Sequence, residues 1–182
     1  MKLRPYITVF SLTLMLVSCG NDNKKTTAEP EVVTVDNTSK KEYQPAESGV
    51  TFKDSKVGAA YENYILLKTA LVNTDAATTA RHATNLMTDF ANIGMENDAL
   101  AATQTIYEST DVAVQREAFV AVTAAMEKLL EGAIESGVIY KQYCPMAFDF
   151  KGAFWLSNSK DIYNPYFGDE MLRCGKVDSE IK

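Results

Sequence analysis

Cys144 and Met146 stand two residues apart, and Met171 and Cys174 stand three apart. In an extended chain the first pair projects to one side; in a helical turn the second pair does the same. Thiolate and thioether are soft donors that select Cu(I), and a set without oxygen or imidazole suits hard ions poorly. The same two cysteines can instead join in a disulfide. That bond would close the loop between positions 144 and 174 and contribute roughly 3–4 kcal/mol in the chain-entropy view. Both readings stand at this point. Little else in the chain competes for chemistry. There is one histidine, His82, and no Gly-x-Ser-x-Gly or His-Glu-x-x-His run. The cysteines lack the Cys-x-x-Cys spacing of thiol oxidoreductases. No catalytic residue is assigned, and the expectation is a protein that is not an enzyme.

The compartment bears on that choice. Lys2 and Arg4 precede an apolar run, Ile7 to Val17, which ends in Leu16-Val17-Ser18-Cys19. This is the plan of a secretory signal, too short to span a bilayer. Leu-Val-Ser-Cys resembles the bacterial lipobox, which makes Cys19 the lipidated first residue after cleavage of a signal peptide at 1–18. The expected product is a membrane lipoprotein facing the periplasm, anchored in the outer membrane, where disulfides persist. The whole chain has 18 Lys and Arg against 24 Asp and Glu, a formal charge of −6. Loss of Lys2 and Arg4 with the signal leaves −8. Such a surface lacks the cations that phosphate backbones require, so nucleic acid is excluded as a partner. Positions 19–50 are mostly polar, with Val32, Val33, Val35 and Tyr43 scattered among them. They cannot bury enough surface to offset chain entropy and read as a flexible tether, with a folded domain at 51–182.

The elements that must position the sulfur residues begin at Val57. Val57, Tyr61, Tyr64, Ile65, Leu71 and Val72 fall on one helical stripe, with Asp54 and Ser55 as N-cap candidates. Ala76, Ala80, Ala83, Met87 and Phe90 align on a second helix that Gly94 is placed to end. A shorter helix is expected from Glu96 to Glu108. A fourth runs from Asp111 to Glu135 with Phe119, Val122, Met126, Leu130 and Ala133 in near-heptad register, stopped by Gly137. Lys68 lies inside the first apolar stripe. It reads either as a cation displayed in a cleft or as a salt-bridged structural lysine paired with Asp75, Asp89 or Asp111. His82 reads as a boundary residue of the second helix.

After Gly137 half of the aromatic residues crowd into positions 140–167. Val138 to Tyr143 suits a short strand, and Asn164-Pro165 and Gly168 mark turns. The fold class expected is all-α: an up-down four-helix bundle closed by an irregular, aromatic- and Cys-containing C-terminal wrap.

Several runs are similar to those of one family. They are Tyr61, Tyr64, Leu66, Lys68, Ala70-Leu-Val72 and Asp75; Tyr143-Cys-Pro-Met-Ala147; Gly152-Ala-Phe-Trp-Leu-Ser157; Asn164-Pro-Tyr-Phe-Gly-Asp-Glu-Met-Leu172; and Cys174-Gly175. Together they resemble the domain-of-unknown-function 3347 family over residues 57–182. The resemblance implies a bacterial periplasmic lipoprotein. It also implies kinship with domains attached to the adaptor subunits of copper- and heavy-metal-efflux pumps. No catalytic residue comes with it. A copper(I) site is then expected at Cys144, Met146, Met171 and Cys174, with a metal-efflux adaptor or pump as partner. The alternative is an interaction module with a structural Cys144–Cys174 disulfide.

Overall fold

Asp54 has an extended backbone, and its carboxylate accepts the Lys56 N–H at 2.9 Å, which starts helix α1 (Ser55–Val72). This computed structural model describes residues 42–182; the signal segment, Cys19 and positions 20–41 lie outside the described residues. Helix α1 is the centre of the molecule. All six stripe residues named from the sequence are buried, and so are Ala60, Leu67, Lys68, Thr69 and Ala70. An element buried around so much of its circumference must be surrounded, and α1 packs against α2, α4 and the C-terminal segment.

Asp75 caps α2 (Ala76–Ile93), and Gly94 ends it in the left-handed conformation at φ 83° that glycine adopts without Cβ strain. Helix α3 (Asn97–Glu108) returns along α2. The Asp111 side chain then caps α4 (Val112–Leu130), which runs back beside α3 and α1. Four long helices in a bundle-like packing are as the sequence implied. Phe119, Val122, Met126 and Leu130 supply the α4 face, fully buried against Tyr64, Leu86, Phe90 and Ile106 in one continuous core.

Two expectations need correction. Helix α4 stops at Leu130 rather than running to Glu135, because Gly132 takes a positive φ of 69° and turns the chain. Ala133 therefore leaves the helix, and Ile134–Ser136 (β2) pairs antiparallel with Thr51–Phe52 (β1). Gly137, at φ 95°, still has a task. A Cβ there would stand 2.4 Å from the Gly49 carbonyl oxygen, so its bareness admits the N-terminal chain.

The C-terminal third is likewise no irregular wrap, and the protein is not purely α. Ile139–Cys144 (β3) is the centre of a three-stranded antiparallel sheet between Ala153–Ser157 (β4) and Lys176–Ile181 (β5). Strand β3 had the β-branched and aromatic signal. Its partners are harder to read: β4 carries Phe154 and Trp155 but is short, and β5 alternates Lys176, Asp178 and Glu180 as an exposed edge. The register places Cys144 opposite Ala153 and Gln142 opposite Trp155.

Residues 42–50, assigned to the tether by composition, lie against the domain as an extended strap. Tyr43 N–H donates to Asn73 Oδ1 at 2.9 Å, and Asn73 Nδ2 returns a bond to Tyr43 O at 3.0 Å. Farther along, Asn158 Nδ2 donates to Ala46 O at 2.9 Å. Paired amides of this kind compensate the entropy of ordering a polar segment.

Candidate functional site

Strand β3 delivers Cys144 to the interior, where it has no exposed surface. Cys174 arrives from the segment just before β5, fixed by its own N–H to Met171 O at 3.0 Å and by Asn164 Nδ2 to its carbonyl at 2.9 Å. Asn164 also accepts the Tyr166 N–H at 2.8 Å, and its own N–H reaches Leu172 O at 2.9 Å. The Asn-Pro turn read from the sequence is thus the clamp that aims Cys174. The two sulfur atoms stand 3.1 Å apart, both as thiols. The hydrogen bond shared with Cys144, in which Cys174 keeps its proton, and, after it, loss of solvent push the Cys174 thiol above its ordinary range; the Met146 N–H pointing at that sulfur acts the other way.

The thioethers form a separate group beside this pair. Met146, 38% exposed, and Met171 both line a cavity of about 470 Å³ with Arg116, Phe148, Tyr166 and Phe167, and neither cysteine is part of that lining. The structure therefore brings the four sulfur residues to one end of the sheet. It joins the two thiols directly and leaves the two methionines at the adjoining mouth. The rim is an unusual piece of backbone. Phe148, Asp149 and Phe150 have φ of 52°, 55° and 64°, three consecutive non-glycine residues in the left-handed region. This region costs an ordinary residue about 1–2 kcal/mol. Lys151 N–H to Phe148 O and Gly152 N–H to Ala147 O close the turn, and Phe148 packs edge-on against Tyr166. Phe150 is left 77% exposed.

The donor chemistry, not the count of classical ligands, decides which metal could fit. Among the described residues, no three of His, Cys, Asp or Glu come together to hold an ion. His82 is half-buried on α2, where burial lowers its pKa. The donors gathered at the sheet end are sulfur, which fits a soft monovalent ion and no hard one.

Lys68 corrects a further expectation. It is 1% exposed, and no carboxylate lies within ion-pair distance of it among the described residues; Asp75 instead caps α2, Asp111 caps α4 and Asp89 accepts from Asn63. Its Nζ donates to the Tyr43 hydroxyl at 3.2 Å and sits 5.0 Å from the centre of that ring. Burial lowers its pKa from 10.5 to about 7. A salt bridge was the reasonable expectation for a buried lysine. The aromatic partner was hidden because it comes from a segment whose composition reads as unstructured.

Two further residues have positioning roles that the sequence does not show. Arg116 on α4 donates to Pro165 O at 2.8 Å and to Leu71 O at 3.2 Å, tying the end of α1 to the Asn-Pro turn. Tyr64 accepts the Leu156 N–H at 3.0 Å and pairs with Thr123 Oγ1 at 2.9 Å, joining α1, β4 and α4 at one hydroxyl. An apolar-stripe tyrosine and a helix-face arginine read as generic until the distant partners are known.

The molecule is thus a helical bundle carrying a small sheet, with a thiol pair at the sheet's end. Residues 60–136, from α1 to β2, match the model of a family described as a protein of unknown function, DUF3347. The match covers the bundle, whereas the Cys-Pro-Met, Asn-Pro-Tyr-Phe-Gly and Cys-Gly runs lie C-terminal to it. No curated protein and no solved structure matches the chain.

Proposed function

We propose that this is a lipid-anchored, periplasm-facing, non-enzymatic domain that holds one copper(I) ion at its sheet end and serves a metal-efflux adaptor or pump. The observation that carries the reading is the approach of the Cys144 and Cys174 thiols to 3.1 Å, with Met146 and Met171 at the adjoining cavity mouth. Two thiolates are soft donors that favour a soft monovalent ion over hard divalent ones. The methionines would complete the coordination without adding charge. Reduced protein should bind one Cu(I) in competition with a chelator, and its melting temperature should rise because the ion binds the native state in preference to the unfolded one. Met146→Leu and Met171→Leu, which keep bulk and apolarity, should weaken binding without unfolding. Copper affinity unchanged in both would remove the thioethers from the site.

The same sulfur separation supports a second reading, a structural Cys144–Cys174 disulfide in an interaction module. Intact mass of protein taken from its native compartment separates the two. A deficit of two hydrogens, with no copper bound, leaves the module reading in place.

A further inference from the structure

The geometry points to a proton-operated latch: the strap at residues 42–50 closes over Lys68 when that amine is neutral and is released when it takes up a proton. The latch is independent of the sulfur site and of any metal. Lys68 is buried, and its amine meets the strap at Tyr43. Tyr43 lays its ring 5.0 Å from Nζ and its hydroxyl 3.2 Å away, and its ring stacks with Tyr163 at 4.0 Å between centres. One hydroxyl and one ring face are all the strap offers an ammonium group, which has three donors to satisfy. A neutral amine needs far less.

The charged and titratable groups on the elements packed around the pair are committed elsewhere. Helix α1 itself contributes Tyr61 and Tyr64, both tyrosines held neutral by burial. Tyr61 directs its hydroxyl to Asn158 Oδ1 at 2.7 Å, away from the amine. From α4, Arg116 is bound to the Leu71 and Pro165 carbonyls, and Glu127 is taken by Lys141 at 2.6 Å. From α2, Asp89 accepts from Asn63. In the segment before β5, Arg173 lies 4.0 Å from the Tyr163 ring, and with Asp161 it acts on Tyr43. None of these supplies a counter-ion to Lys68. Around the strap, by contrast, the fastenings are few: the Asn73 bonds at Glu42 and Tyr43 and one bond at Ala46. The strap passes Gly137 with room for no side chain, so its path on the domain is fixed even though its hold is light.

Lifting the strap returns Lys68 to water and to its ordinary basicity, so closing must expel a proton. With Lys68 titrating at about 7 when covered and 10.5 when free, linkage makes the closing equilibrium about thirtyfold weaker at pH 6 than at pH 8.5. Hydrogen exchange of the full chain in detergent, read by mass spectrometry and corrected for the intrinsic rate at each pH, measures this. Protection of a peptide covering Tyr43 to Ala46 should fall about thirtyfold over that interval. It should stay well below the protection of core peptides from α1. In Lys68→Met, the strap's protection should change less than twofold over the same interval. Tyr43→Ala should open the strap at both pH values and leave the core peptides protected. A pH-independent strap in the wild type would overturn the latch. So would the same fall in Lys68→Met, or strap and core exchanging as one unit.

Discussion

Replacing Tyr64 by Phe removes one oxygen atom from the junction of three elements. That oxygen is fully buried, accepts the Leu156 N–H at 3.0 Å and pairs with Thr123 Oγ1 at 2.9 Å. The ring stays, with its stacking on Phe119 at 5.2 Å and on Tyr61 at 6.3 Å, so no cavity of note is created. The loss is then polar. Two net hydrogen bonds contribute about 1 kcal/mol each, and the Leu156 amide and Thr123 hydroxyl are left in a dry place, where an unpaired group costs about 1–3 kcal/mol. Thr123 lies on a helix and can turn its hydroxyl back to a carbonyl of the preceding turn. The Leu156 amide is fixed in β4 and has no such escape. The expected destabilisation is therefore about 2–4 kcal/mol. For a domain of this size that lowers the melting point by roughly 6–15 °C. Urea unfolding followed by far-ultraviolet circular dichroism measures the first figure, with an unchanged slope showing that the same surface unfolds. Thr123→Val, which leaves Leu156 satisfied, should cost clearly less. A loss under 0.5 kcal/mol in Tyr64→Phe, or a larger one in Thr123→Val, would refute the idea that this hydroxyl clips the sheet to the bundle.

Three more outcomes are expected at particular groups. The Lys68 amine has a folded pKa of about 7 against 10.5 when exposed. Below pH 7 it is charged in both states, so stability should rise with pH between about 7 and 10.5, by at most about 5 kcal/mol and by less to the extent that opening of the strap relieves the buried charge. Lys68→Met should be more stable than wild type at pH 6 and should lack that rise, as read by denaturant midpoints across the pH series. Gly175→Ala should destabilise by more than about 1 kcal/mol and disturb the thiol pair, because its φ is 144° and a Cβ would stand 2.7 Å from the Trp155 ring. A thermal scan together with thiol titration of the native protein would show both effects. Cys19→Ala should move the protein from the membrane fraction to the soluble fraction; a variant that still sediments with membranes would end the lipobox reading.

The sequence by itself determined the four helices, and the reason is local. Asp54, Asp75 and Asp111 each cap a helix with a side-chain bond two or three residues long, Gly94 ends one in a left-handed turn that few other residues adopt, and apolar residues at helical spacing mark the inner faces. Such signals need no partner elsewhere in the chain. It also picked out Cys144, Met146, Met171 and Cys174 by chemical type. Only the tertiary structure decided how these meet: the thiols in contact through the β3 register and the Asn164 clamp, the thioethers on a neighbouring cavity. The sheet escaped the sequence because a charged edge strand such as Lys176–Ile181 is made by its neighbour's hydrogen bonds rather than by its own residues. Lys68 shows the limit most plainly. Its burial was legible from the apolar stripe, but its partner was not, since Tyr43 belongs to a polar segment that is ordered by contacts across the fold, among them those with Asn73, Tyr163 and Lys68 itself. Capping and periodicity act within a few residues and can be read along the chain; the pairing of a buried polar group is settled across the fold, by whichever distant group arrives to satisfy it.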